Sequence, residues 1–309
     1  MKMAKTALAV SLVTLFAQPV IAADLTVYGK ANVTVQSSDD GDGSFTEIKS
    51  NASRFGVKGG QKIDDGLSVV YKMEWQVDMS DKDKSSDDHL KARNQYVGLK
   101  GGFGEVLIGR NDTALKQSQG KIDLFNDLEG DIKHRFKGEN RMGDSITYKT
   151  PKMNGFQFIG TVIAEDEKDA DNGYSAALLF GDSKLKKSKF YASVAMDSEV
   201  KGYDTVRATV QGKVAGFKLG ALYQTQEASE GASEADGYVL NAAYGLGKAT
   251  LKAQYQTVDF DGSDKKNVAS VGVDYKLAKN TKLFGFYSTF DNDSSEDESY
   301  LGLGMEYKF

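Results

Sequence analysis

Residues 24–36 read DLTVYGKANVTVQ. Leu25, Val27, Gly29, Ala31, Val33 and Val35 share one parity, and Thr26, Tyr28, Lys30, Asn32, Thr34 and Gln36 share the other. A period of two sustained over a dozen residues is a β-strand with one apolar and one polar face. The alternation returns in TLKAQYQT (250–257), VASVGVDYKL (268–277) and SYLGLGMEYKF (299–309). Such segments fall at 24–36, 51–62, 66–78, 89–100, 103–110, 143–150, 154–165, 173–181, 186–197, 203–214, 216–226, 237–246, 248–258, 267–278, 280–290 and 299–309. That gives sixteen strands, an even number, joined alternately by tight turns and longer loops.

The composition narrows the classes. The chain has 309 residues, no Cys and 2 Pro, with a mean hydropathy of -0.44. A helix that spans hydrocarbon needs about 20 mostly apolar residues in a row, and no stretch past residue 23 offers that without charges. The 16 Phe and 15 Tyr argue equally against disorder. Residues 1–22, MKMAKTALAVSLVTLFAQPVIA, carry Lys2 and Lys5, an apolar run and small residues before Ala22, the pattern of a cleaved secretory signal peptide. Cleavage removes two lysines and changes the net charge from -5 to -7.

A soluble β-sandwich also alternates, but sixteen strands would then form two domains with a linker, and 24–309 holds none. Strands with short turns at one end and long loops at the other fit an all-β, 16-stranded antiparallel transmembrane β-barrel. Closure leaves no unpaired edge for hydrocarbon to penalise. Because the inward parity is rich in Lys, Gln, Thr, Asn and Asp, the interior is expected to be wet, and sixteen strands are wide enough for an aqueous channel. The loops at 37–50, 79–88, 165–172, 227–236, 259–266 and 291–298 hold 25 of the 44 acids against six Lys. One rim is therefore acidic.

Residues 111–142 lack alternation, and loops this long are functional or disordered. Within them KIDLFNDLE (121–129) spaces Asp123 and Asp127 at i, i+4, on one side if the segment is helical, with Ile122, Leu124, Phe125 and Leu128 opposite. A short amphipathic helix against an inner wall, acids to the water, or a solvated surface helix would each satisfy that pattern. Parity puts Lys30, Arg54, Arg93 (with Ala92 and Tyr96 outward) and Arg141 on the inside. A basic wall facing carboxylates across water would orient dipolar solutes and filter by charge.

On these residues the chain resembles the trimeric general diffusion porins of Gram-negative outer membranes. The resemblance runs through VYGKANV (27–33), RFGVKG (54–59), GLKGGFGEVLIGRND (98–112), ITYKTPKMNGFQF (146–158) and GLGMEYKF (302–309). It implies a third loop folded into the lumen and constriction acids at Asp123 and Asp127, the former thirteen residues after Arg110. It implies a facing basic cluster at Lys30, Arg54, Arg93 and Arg141, the residues that parity selects. It also implies a terminal aromatic, Phe309, read by the barrel-assembly machinery. The tip departs from the family: Asn126-Asp127-Leu128-Glu129-Gly130 replaces Pro-Glu-Phe-Gly-Gly. Lys133, His134, Arg135 and Lys137 are additional, so Arg110, Lys133 and Arg135 join the candidate pore or loop residues.

The expected function is a water-filled homotrimeric channel in the outer membrane, among lipid and lipopolysaccharide, for passive diffusion of ions and small hydrophilic solutes. A saccharide-selective porin is the alternative; it needs a file of aromatics along the path, and Tyr28 is an inward aromatic. A hydrolase needs Ser, His and an acid together, and the chain has only His89 and His134. No cofactor, metal or nucleic acid is expected. The acidic loops could serve adhesion or phage attachment, or hold divalent cations that bridge lipopolysaccharide.

Overall fold

The computed structural model describes residues 24–80, 90–165, 168, 171–231, 233–261, 265–292 and 296–309. Residues 1–22, most of 79–88 with His89, and much of 165–172, on which the signal-peptide, His89 and acidic-loop expectations fall, lie outside the described residues.

The backbone forms one antiparallel sheet closed on itself. Its strands are β1 (Asp24–Asp39), β2 (Ser44–Ser50 continuing as Arg54–Asp64), β3 (Leu67–Val77), β4 (Leu90–Gly101), β5 (Gly104–Asp112), β6 (Arg141–Met142 continuing as Ser145–Lys149), β7 (Phe156–Ile163) and β8 (Gly173–Gly181). They continue as β9 (Phe190–Ser198), β10 (Tyr203–Val214), β11 (Phe217–Ala228), β12 (Glu234–Leu246), β13 (Ala249–Phe260), β14 (Lys266–Lys276), β15 (Thr281–Asn292) and β16 (Glu298–Lys308). Sixteen strands are present once the two interrupted ones are each counted once, since both halves of β2 pair with β1.

Closure is a seam between the first strand and the last. β1 and β16 pair from Lys30↔Lys308 to Asp39↔Ser299, and Gly29 and Phe309 exchange backbone hydrogen bonds of 3.0 and 3.2 Å. Every strand therefore has two neighbours, the only sheet arrangement hydrocarbon tolerates. The faces sort as alternation demands: Leu25, Val27 and Val35 are more than half exposed, as lipid-facing residues are in an isolated chain, while Asn32, Thr34, Gln36 and Ser38 are buried on the inside. Many tyrosines and phenylalanines, Tyr174, Phe190, Tyr223, Tyr238 and Tyr287 among them, take the outer face, where interfacial aromatics belong.

Three expectations change. Residues 37–50 are not a long loop: β1 runs to Asp39 and pairs with Ser44–Ser50, with Ser38 continuing the inner face of β1 and Glu47 and Lys49 standing opposite Gln36 and Thr34 on that face, where Glu47 accepts from Gln36 and Ser38. The break in β2 falls at Asn51–Ser53, where Ala52 has φ 49°. On β4 a bulge opposite Met73–Trp75 admits one extra residue, Arg93 and Asn94 standing against Glu74, so Arg93 still points in but parity flips beyond it. Val97 and Leu99 face out, and Tyr96 shares the inner face with Gly98 rather than the outer face with Ala92. Finally, Asn111 and Asp112 pair with Met142 and Arg141, which shortens the third loop to residues 113–140.

Two glycines of β16 make room at the seam. A Cβ on Gly304 would lie 2.4 Å from the Phe284 ring and 2.6 Å from the Val33 carbonyl oxygen, and one on Gly302 would meet Phe286. Overpacking of this kind costs about 1–3 kcal/mol, and here it strikes the closing ladder. Gly304→Val is expected to lower the temperature at which the folded, fast-migrating band converts to the unfolded form in detergent electrophoresis. An unchanged conversion temperature would show that the seam adapts.

Candidate functional site

The third loop lies against the inward-facing side chains of many strands. It opens with a five-residue helix, α1 (Ala114–Ser118), capped by Thr113, whose hydroxyl accepts from the Lys116 amide. Ser175 on β8 accepts from the Leu115 amide at 3.0 Å, and the Tyr191 and Ser193 hydroxyls on β9 donate to the Ser118 carbonyl. Asn241 donates to Ile122 O, and Lys252 to Leu124 O at 2.9 Å; the Gln254 amide nitrogen and Gln256 both donate to Gly130 O. Backbone groups that form no regular structure are satisfied by polar residues of the wall, as buried backbone requires.

Apolar contacts supply the footing. Ile122, Ile132 and Phe136 pack with Leu222, Val239 and Val258; Leu115 packs with Ile159 and Ala177; Phe125 and Leu128 pack with Phe284 and Phe286. Each such side chain buried is worth about 1.5–3 kcal/mol. Near the loop's end the fully buried Arg207 of β10 donates to Glu139 at 2.6 Å, to Gln224 at 2.7 Å and to Lys137 O at 3.2 Å.

The helix proposed over 121–129 does not form, and Asp123 and Asp127 do not share a face. The segment is a series of turns, Leu128 N to Phe125 O and Asp131 N to Leu128 O, with Asp127 at φ 69°. Asp123, half-buried, turns to the loop's own backbone and the wall and accepts from the Phe125 and Ile132 amides and from Gln254. Short Asp side chains compete with helix by bonding amides nearby in this way. Burial, reinforced by Asp131, pushes the Asp123 carboxyl up. The only helical turn further along the loop is a 3-10 turn at Ile132–His134.

Asp127 is the acid that reaches the basic wall. Lys30 and Arg54 stand directly opposite each other on β1 and β2, and both donate to Asp127 Oδ2, at 2.6 and 3.0 Å. Burial alone would raise this carboxyl, but the charges of Lys30 and Arg54 outweigh it and hold it at about 2. Glu129 extends the bridge by accepting from Gln36 and pairing with Lys49. The loop thus crosses from the β8–β15 side to β1 and β2.

Beside this crossing lies a cavity of about 550 Å³ lined by, among others, Arg54, Arg93, Arg141, Lys116, Lys121 and Asp127. Three carboxylates each serve two cations. Asp127 takes Lys30 and Arg54; Glu74 takes Arg93 at 2.9 Å and Lys72 at 3.3 Å; Asp112 takes Arg141 at 2.8 Å and Lys116 at 3.7 Å. The structure therefore brings together Lys30, Arg54, Arg93, Arg141 and Asp127 but leaves Asp123 out. Lys133 lines the cavity beside Asp131. Arg135 turns to Asn292 and stacks 4.8 Å over Phe290, and Arg110 does not line the cavity. Glu74, Lys72, Asp112 and Lys116 were missed. Glu74 and Lys72 share an inward parity on β3, a signal that could have found them.

This architecture, a closed sixteen-stranded barrel with a lipid-compatible exterior and a charged, water-accessible interior, is that of an outer-membrane channel. A family model for Gram-negative porins matches residues 6–295, and the chain belongs to that family. The major outer membrane protein P.IB of Neisseria meningitidis is 24% identical over 87% of this chain and 88% of its own length. Among solved structures, an anion-selective porin from Comamonas acidovorans superposes with a TM-score of 0.82 at 20% identity, over 93% of this chain and all of that one. OmpT of Vibrio cholerae in its trimer form gives 0.72 at 16%, covering 93% of this chain and all of its own. The protein is a channel for passive diffusion of small solutes across the outer membrane of a Gram-negative bacterium; proteins of this family are channels rather than enzymes.

Breaking one side of a buried ion pair costs about 3–5 kcal/mol. Arg207→Gln is therefore expected to free the end of the loop while the barrel stays folded, so that trypsin cuts at Lys133, Arg135 or Lys137 at least tenfold faster than in the parent. Equal resistance would mean that the apolar footing alone holds the loop.

Proposed function

We propose that the loop from residue 113 to residue 140 narrows the channel, and that solutes pass between it and the basic wall of β2 to β6 through a path that favours anions. The 2:1 pairing of cations with Asp127, Glu74 and Asp112 carries this reading. Cations outnumber these carboxylates two to one, with Glu306 3.8 Å from Lys30 a more distant further partner, and in a narrow, water-filled passage bounded by protein the surplus charge acts with little screening. The overall negative charge resides in the acidic rim and does not set the preference at the narrowest point.

General diffusion is favoured over saccharide selectivity. The inward rings of Phe284, Phe286 and Phe290 are each under 5% exposed, and Tyr28 is engaged by Glu74 and by the ammonium groups of Lys58 and Lys72. Neither the three phenylalanines nor Tyr28 therefore offers an open face for a sugar ring. We read the chain as a homotrimer, a state supported by the trimer form of OmpT. We also keep residues 1–22 as a cleaved signal and Phe309 as an insertion signal.

The test is the reversal potential in planar bilayers under a salt gradient. The parent should favour anions, and Asp127→Asn should favour them more strongly, whereas Arg54→Gln with Arg93→Gln should move the potential toward cations. Because the carboxyl at position 127 titrates at about 2, it is charged above that value and neutral below. The difference between parent and Asp127→Asn should stay constant from pH 7 to about 4 and close only as the pH nears 2. Unchanged selectivity in both variants would place the loop outside the conducting path.

A further inference from the structure

Lysines recur in directly opposed pairs on the inner face toward the short-turn end. Lys58 faces Lys72, Lys213 faces Lys218, Lys276 faces Lys282, and Lys30 faces Lys308. Like charges directly opposite across an antiparallel pair repel, so each pairing is unfavourable unless an anion sits between. At the constriction the chain supplies that anion itself, since Asp127 bridges the opposed Lys30 and Arg54. At the mouth it does so incompletely.

The densest cluster surrounds a cavity of about 210 Å³ lined by Lys248, Lys276, Lys279, Lys282 and Lys308, with Thr250, Thr281 and Asn280. Only two acids line it. Asp274 is taken by Lys282 at 3.0 Å and also by the buried Lys252 at 3.1 Å; Glu306 is taken by Lys308 at 2.7 Å and lies 3.8 Å from Lys30. Lys248, Lys276 and Lys279 are exposed and carry the surplus charge. Alternation places Thr250, Asp274, Lys276, Lys282, Glu306 and Lys308 on the inner face, with Lys248 and Lys279 in the adjoining connections, so the cavity opens toward the lumen. Short turns mark the periplasmic end of such barrels.

We propose that this cavity is a binding site for small polyvalent oxyanions of the phosphate type at the periplasmic mouth. Lysine ammonium groups act as point charges for phosphate oxygens, and the neighbouring threonine hydroxyls and Asn280 amide add neutral donors. Five lysines against two carboxylates match a multiply charged anion, where a monovalent one leaves most of the repulsion in place. The cavity shares no lining residue with the one beside the third loop, although Lys30 stands between the two, and it does not depend on how the third loop selects ions.

Isothermal titration of the folded protein in neutral detergent at physiological salt, with inorganic tripolyphosphate as the probe, tests this. Saturable binding is expected, with orthophosphate much weaker. The triple variant Lys248→Gln, Lys276→Gln, Lys279→Gln, which alters exposed side chains only, should weaken binding by about tenfold or more. Absence of saturable binding, or less than a threefold change in the triple variant, would overturn the proposal. So would loss of binding in Arg54→Gln, Arg93→Gln with the triple variant unaffected, since the anion would then sit at the constriction.

Discussion

Hydrocarbon gives an unpaired backbone amide or carbonyl nowhere to go, and the remaining architecture follows from meeting that demand by closing β1 onto β16. Closure fixes which side of each strand meets lipid, and alternation then makes every second residue a lumen residue. A wide ring of strands around polar side chains is necessarily wet. The third loop can occupy that wet interior only because its own backbone is satisfied by Gln254, Gln256, Asn241, Lys252 and Ser175.

The loop is held by two kinds of contact with different consequences. Its apolar footing on Phe284, Phe286, Leu222 and Val239 is non-directional and fixes it to one side of the barrel. The charged crossing from Asp127 to Lys30 and Arg54 is directional and spans to the other side. The cavity beside the loop lies where Arg54, Arg93, Arg141 and Lys116 gather, and the proposed water path runs through it. The same device, a carboxylate shared between opposed cations, appears in part at the periplasmic mouth, where Asp274 and Glu306 are too few for the lysines around them.

Much of the barrel was legible in period two alone, because one buried and one lipid-facing side leave no other pattern. Strand ends were not, since Ser44–Ser50 pairs only through its partner β1 and carries little apolar signal of its own. The bulge on β4 was invisible to strict parity, which sent Tyr96 to the wrong face. Lys30, Arg54, Arg93 and Arg141 were readable because strands fix direction. Asp123 was misread because the loop is fixed by tertiary contacts: an i, i+4 spacing means a shared face only in a helix, and Asp123 bonds to amides that a helix would have used. The inward phenylalanines of KLFGFY (282–287) break the polar parity, a signal the sequence reading did not use, and Phe125 and Leu128 of the loop rest there.

That the third loop stands in the conducting path can be tested at one atom, because the chain has no cysteine. Asn126 is exposed at the tip and lines the cavity. After Asn126→Cys, attachment of a bulky thiol reagent should cut single-channel conductance by more than half, with the parent unaffected. Complete labelling with unchanged conductance would contradict the account.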